Sequence, residues 1–228
     1  DKSRVMILNS PNNPTGSVLS HDDLAGLAKL AVERDLIVIS DEVYEKITYD
    51  NAKHYCVAAF PGMRERTLIV NSFSKTYAMT GFRIGYVYGP KEFIAPMMLA
   101  HQYVTACVNG PAQYGAVAAL EGSQGFVKKM VREFDRRRHL PHSRLNEIEG
   151  FRCLLPQGAF YAFANIKHFK APSEEFAEHL FNEAKVVTVA GSAFGKLGEE
   201  YLRLSYATAY DQLDEALDRI EKAAKAFR

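Results

Sequence analysis

Three polar clusters in this 228-residue sequence each follow a continuous apolar run: Asn12-Asn13 after Val5-Met6-Ile7-Leu8, Asp41 and Tyr44 after Leu36-Ile37-Val38-Ile39, and Ser72 to Lys75 after Thr67-Leu68-Ile69-Val70. Between them they bring an amide, a carboxylate, a phenol, two hydroxyls and a primary amine. An amine on a short tether at a strand tip can serve as nucleophile and as proton carrier. A carboxylate in such a place is the simplest partner for a buried cation. Arg83 and Arg203 add planar forks of N–H donors that match carboxylate or phosphate oxygens. Arg203 stands between Leu202 and Leu204 in a strand-like run, where an unpaired charge is costly, so it calls for a ligand or a buried partner. Each residue also has a plain reading: a solvated lysine, a helix-capping aspartate, a turn asparagine before proline, a packed tyrosine. Standing alone, Asn13 and Tyr44 fit those plain readings better.

The elements that must position these residues are legible. The apolar runs are continuous rather than alternating, which points to strands in a sheet covered on both faces. Arg83 to Tyr88 reads as a further strand. Ser20 precedes a helix with Asp22 and Asp23 in its first turn and Leu24, Leu27, Ala28, Leu30 and Ala31 on its apolar face. Strand–helix–strand spacing predicts an α/β fold with a largely parallel sheet, and ligands of such sheets lie beyond the carboxyl ends of the strands. The polar clusters thus share one rim. After Pro90 the pattern turns helical: Lys91 to Ala106, Pro111 to Glu121, and Phe126 to Ile148, the last interrupted or kinked at Pro141. Strand-like runs at Phe160–Phe163, Val186–Val189 and Tyr201–Ser205, with helices over Ser173–Glu183 and Asp211–Ala226, predict a smaller α+β domain. The division expected is 1–125, the C-terminal part of a large domain, and 126–228, a long connecting helix and a small domain.

Composition narrows the function classes. Basic and acidic side chains number 28 and 27, a balance that offers no field for a polyanion and argues against nucleic-acid binding. The local run Arg136-Arg137-Arg138 reads as the solvated face of a helix. Cys56, Cys107 and Cys153 are far apart and odd in number, which disfavours a disulfide framework or a zinc site and suits reduced thiols in or near a core. His101, His139 and His142 lack metal-ligand spacing and read as helix-surface or packing residues, so no metal is expected. No stretch is long and apolar enough to span a membrane; no signal peptide and a cytoplasmic location are expected. The opening at Asp1, straight into a strand, reads as the start of a fragment.

Asn13-Pro14-Thr15-Gly16, Asp41-Glu42-Val43-Tyr44, Ser72-Phe73-Ser74-Lys75 with Arg83 beyond it, and Arg203-Leu204-Ser205 resemble, in order and spacing, the class I/II aminotransferases, enzymes of fold type I that depend on pyridoxal phosphate. Ser10 to Gly16 and Phe73 to Gly85 resemble the aspartate aminotransferase branch. The resemblance runs from Val5 to about Phe227. It implies part of a mostly parallel large-domain sheet plus a smaller α+β C-terminal domain. It implies that pyridoxal 5'-phosphate is covalently held as a lysine aldimine on Lys75, whose freed amine then moves the substrate proton. Asp41 would keep the ring nitrogen protonated, and Tyr44 and Asn13 would hydrogen-bond the phenolic oxygen. Ser72, Ser74 and Arg83 would bind the phosphate. Arg203, with Asn13 beside the substrate, would grip the α-carboxylate.

The activity so implied is ping-pong transfer of an amino group between an L-amino acid, aspartate foremost, and a 2-oxo acid such as 2-oxoglutarate, in a homodimer. A β-lyase on the same scaffold and a non-enzymatic, aminotransferase-like regulator body are the alternatives. Gly191-Ser192-Ala193-Phe194-Gly195 reads as a turn near the site, and Gln157 to Tyr161 as small-domain structure close to the substrate. Ala190 stands where relatives often carry proline. The resemblance also implies that the front of the fold, with part of the phosphate cup, lies ahead of Asp1.

Overall fold

The computed structural model describes residues 2–227 and divides into two compact units. The first comprises residues up to Pro11 and Val18–Lys129; the second comprises Asn12–Ser17 and the residues from Met130 onward.

In the first unit, strands β1 (Val5–Asn9), β2 (Ile37–Asp41), β3 (Thr67–Ser72) and β4 (Gly85–Tyr88) form one sheet in the order β1-β2-β3-β4. The β1–β2 and β2–β3 pairs are parallel, as the apolar runs predict, with Asn9 opposite Asp41 and Asp41 opposite Val70. β4 is antiparallel to β3 and exposed along its whole length, so the sheet is mixed. Arg83 is not part of that strand. It closes a 3-10 turn with φ +54° and ψ +49°, and this left-handed residue reverses the chain into β4. Gly85 is required next: a Cβ there would lie 2.7 Å from the Asn71 carbonyl oxygen.

Helix α1 (His21–Glu33) begins with a capping box, in which Ser20 Oγ accepts from the Asp23 N–H and Asp23 accepts from the Ser20 N–H. Leu24, Ala28 and Ala31 are buried against Leu36, Val38, Val57 and Met63. Leu30, expected on that face, is exposed. The short helix α2 (Phe73–Thr76) continues from β3, and Phe73, Met79 and Ile84 pack on Ala112 and Ala116 of helix α4 (Gly110–Glu121). Helix α3 (Lys91–Val104) has no buried residue.

Helix α5 (Gly125–Glu147) crosses the division between the units and runs through Pro141 without a break. Proline removes one helical hydrogen bond there, and its ring is buried, so packing offsets the loss. In the second unit β5 (Arg152–Cys153), β6 (Tyr161–Asn165), β7 (Val189–Ala190) and β8 (Tyr201–Ser205) form an antiparallel sheet in the order β5-β6-β8-β7. Of the run at Val186–Val189, only its last residue pairs. Helix α6 (Ser173–His179) gives way to a π-helical turn over Leu180–Ala184, and α7 (Tyr210–Ala226) is amphipathic. Leu145, Phe151, Phe176, Leu180, Leu202, Leu213, Leu217 and Ile220 anchor one contiguous core.

The arginine run on α5 is not a solvated face. Arg138 is buried, paired with Asp135 at 2.7 Å and donating to the Pro156 carbonyl at 2.8 Å. Arg137 bonds Glu133 and the Thr208 carbonyl, and only Arg136 is exposed, over the Tyr210 ring. The three positions lie on different sides of a helix turning 3.6 residues at a time, so Arg138 is enclosed while Arg136 faces solvent. The cysteines are all free, but Cys107 is exposed and Cys56 half-buried, so only Cys153 is a core thiol. His101 and His139 are exposed on α3 and α5, and His142 is half-exposed on α5. No described helix is long and apolar enough to cross a membrane.

Candidate active site

The first unit gathers Asp41, Tyr44, Ser72, Ser74, Lys75 and Arg83 at the carboxyl ends of β2 and β3. Asp41 is the last residue of β2. Its carbonyl accepts from the Ser10 N–H at 3.3 Å and from Asn9 Nδ2 at 3.2 Å, and its carboxylate accepts from the Val43 N–H at 3.3 Å. Burial raises its carboxyl above the ordinary value; the Val43 N–H partly opposes this, and the neighbouring Glu42 charge adds to it. No ion pair to Asp41 occurs among the described residues. Tyr44 is buried in the turn that follows.

Lys75 is half-buried in the single turn of α2, directly after β3, the parallel neighbour of β2. Ser72 caps that turn: its Oγ accepts from the Ser74 N–H at 3.0 Å and donates to Ser74 Oγ at 2.8 Å. Thr80, which the sequence reading did not single out, links the cluster to Arg83. Its hydroxyl donates to the Ser74 carbonyl at 2.9 Å, and its own carbonyl accepts from Arg83 Nη1 at 3.0 Å. The exposed Arg83 fork and the two serine hydroxyls therefore belong to one bonded loop.

The second unit holds Asn13 and Arg203. The segment Asn12–Ser17 reaches it because Gly16 takes φ +69° and its carbonyl accepts from the Gln157 and Gly158 N–H groups, both at 2.8 Å. A Cβ on Gly16 would stand 2.7 Å from Pro156 Cβ, so no larger residue fits. Arg203 lies on the face of β8 opposite the buried Leu202 and Leu204. Its Nη1 donates to Asn13 Oδ1 at 2.9 Å, and its guanidinium carbon lies 4.5 Å from the Tyr161 ring centre and 5.1 Å from that of Phe194. Its Nε is buried without a hydrogen-bond partner. Among the described residues no carboxylate pairs with this guanidinium, whose planar fork of N–H donors matches one in shape and charge. Phe194 comes from the Gly191–Phe194 turn, which the sequence reading put near the site.

Phe163, opposite Arg203 on β6, helps line a cavity of about 550 Å³ with Thr15, Arg152, Leu154, Asn165, Leu197 and Tyr201. The sequence offered only the alternation of β6 and β8 as a signal for it. A second missed feature is a polar cluster in the first unit: the buried Glu42 and the half-buried Glu45 and His54 bring carboxylate oxygens and a ring nitrogen within 4.8 Å of one another. Their spacing in the chain has no metal-ligand pattern, so only the fold reveals it.

The profile of the family described as "Aminotransferase class I and II" matches residues 1–220. The chain belongs to this family. Class I and II aminotransferases depend on pyridoxal phosphate. Among curated relatives, an aspartate aminotransferase of Pyrococcus abyssi is 51% identical over 227 residues, which is 99% of this chain and 58% of the relative. An aromatic-amino-acid aminotransferase of Thermococcus litoralis is 49% identical over 226 residues, 98% of this chain and 58% of the relative. Among solved structures, an aromatic aminotransferase from Pyrococcus horikoshii superposes with a TM-score of 0.94 at 49% identity, covering 98% of this chain and 60% of that one. This aminotransferase chain thus spans somewhat over half the length of the relatives it matches.

Proposed function

We propose that this chain is the part of a pyridoxal-phosphate aminotransferase that holds the cofactor and the substrate carboxylate. The observation that carries the reading is Asp41: a partly buried carboxylate with no cationic partner among the described residues, one parallel strand from Lys75. A carboxylate kept at that cost suits a cofactor with a basic ring nitrogen. The two serine hydroxyls and the exposed Arg83 fork suit its phosphate. The donor set fits the cofactor on which the family depends.

When bound, pyridoxal phosphate supplies an aldehyde that joins amines covalently and a ring that draws electrons from the adjoining carbon. Asp41 holds a proton at the ring nitrogen, which strengthens that pull. Ser72, Ser74 and Arg83 anchor the phosphate. Tyr44 and Asn13 donate to the phenolic oxygen. Lys75 would supply the amine that bonds the aldehyde and, once freed, would move the proton at the substrate α-carbon. Arg203 would receive the α-carboxylate through the guanidinium N–H groups that Asn13 does not engage. We infer aspartate and 2-oxoglutarate as the substrate pair, supported by relatives named aspartate aminotransferase. The working molecule is a homodimer of a longer protein. The length of the relatives supports the second part; the exposed Met98, Tyr103 and Tyr114 of α3 and α4 support the first.

In the full-length protein, Lys75→Ala lowers keto-acid-dependent amino transfer by about a thousandfold or more, the scale of losing both nucleophile and proton carrier. Borohydride reduction with cofactor, followed by peptide mapping, labels Lys75. A label on another residue refutes the reading.

A further inference from the structure

Behind Asp41 lies a polar cluster that the mechanism does not use. Glu42 is buried to 3% exposure, and each of its carboxylate oxygens has a partner: Ser40 Oγ donates to Oε1 at 2.9 Å, and His54 Nε2 lies 2.9 Å from Oε2. A carboxylate only accepts, so His54 carries its proton on Nε2. Burial, and then the Glu42 charge, push the Cys56 thiol up to about 11. The Glu42 N–H donates to the Val70 carbonyl of β3 at 2.9 Å. Ser40 and Glu42 therefore flank Asp41 in the chain and are tied to each other, to the next strand and to a histidine twelve residues on.

Such a cluster is expensive to build. His54 Nδ1 is buried with no hydrogen-bond partner, and Glu42 gives up nearly all its water. Burial alone would push the Glu42 carboxyl up. The hydrogen bonds from His54 and Ser40 oppose it, and the acid is held below its ordinary value. Plain packing would be served more cheaply by apolar side chains. What the arrangement fixes is the backbone on either side of one side chain, Asp41.

We propose that Glu42 and His54, tied in by Ser40, are positioning residues that hold the Asp41 carboxylate at a fixed point on the end of β2. This rests on the role given to Asp41 above. The titratable groups facing the pair are Asp41, Glu45 of the following turn, Cys56, and Tyr86 of β4.

The test uses the holoenzyme and reads the pH midpoint of the bound cofactor's visible absorption, together with cofactor affinity by equilibrium dialysis. A well-held aspartate keeps the ring nitrogen protonated and so lowers the midpoint. Asp41→Asn raises it most. His54→Gln and Glu42→Gln each raise it by about half a unit or more, and Ser40→Ala raises it less, in the same direction. Cofactor affinity falls about tenfold in His54→Gln, the ratio expected for one charged buried hydrogen bond. In an Asp41→Asn background, His54→Gln adds no further midpoint shift, which a merely structural role would not produce. If the midpoint moves in Asp41→Asn but stays put in His54→Gln, Glu42→Gln and Ser40→Ala, the positioning pair is overturned and the proposed function stands. An unmoved midpoint in Asp41→Asn itself overturns both.

Discussion

Arg203 shows how far a single residue can be read in each representation. In the sequence it is a cation between two leucines. In the fold the leucines point into the core, while the guanidinium occupies the other face with Asn13, Tyr161 and Phe194. The cost of burying the charge is met by turning it to the opposite side of a strand of period two. One donor, Nε, remains unused. Lysine at this position keeps the charge but loses the planar fork. In the full-length protein, Arg203→Lys should therefore lower kcat/KM for aspartate by roughly 10- to 100-fold, the worth of one charge-assisted hydrogen bond, while leaving the cofactor's visible band in place. Unchanged steady-state kinetics would remove Arg203 from the carboxylate.

At the scale of elements, the parallel strands β1 to β3 and helix α1 were legible because period and caps are local signals: unbroken apolar runs, and Ser20 with Asp23 three positions on. The elements read less well are those that tertiary contacts decide. Nothing local distinguishes an antiparallel β4 from a parallel one; its direction follows from the left-handed turn at Arg83. The run Val186–Val189 has strand composition, yet only its last residue finds a partner. Asp41, Tyr44 and Ser72 to Lys75 were legible for the same reason as the strands, since they sit where apolar runs end. Thr80, Glu42 and His54 were not, because a backbone link and a buried pair leave no periodic trace. The arginine run on α5 makes the point energetically. Arg138 is enclosed, so Arg138→Ala leaves the Pro156 carbonyl without its donor and opens a cavity. It should cost about 3 kcal/mol. Arg136→Ala, at an exposed position, should stay within about 0.5 kcal/mol. Urea unfolding of the two variants side by side checks this, and equal midpoints would return the run to the solvent face.

Across the whole molecule, the two units differ in how completely each buries its own apolar surface. The second is organised around one contiguous core that joins its four-stranded sheet to α6 and α7. The first divides its core into smaller clusters, and it leaves Tyr86, Tyr88, Met98, Leu99, Tyr103 and Val104 exposed along β4 and α3. Local stability follows buried apolar contact, so opening should begin where that contact is thinnest. In the 228-residue chain, hydrogen exchange followed by mass spectrometry should find amides of β6, β8 and α7 protected longest. The amides of α3 should exchange first, although most of them are bonded within the helix. In the full-length protein, cofactor binding should slow exchange most at the end of β3 and in α2, where Ser72, Ser74 and Lys75 sit, while β6 and β8 change little. Protection of α3 equal to that of α7 would mean that helical hydrogen bonds outweigh burial here. Cofactor-dependent protection confined to the second unit would contradict the assignment of the phosphate and the covalent bond to the first.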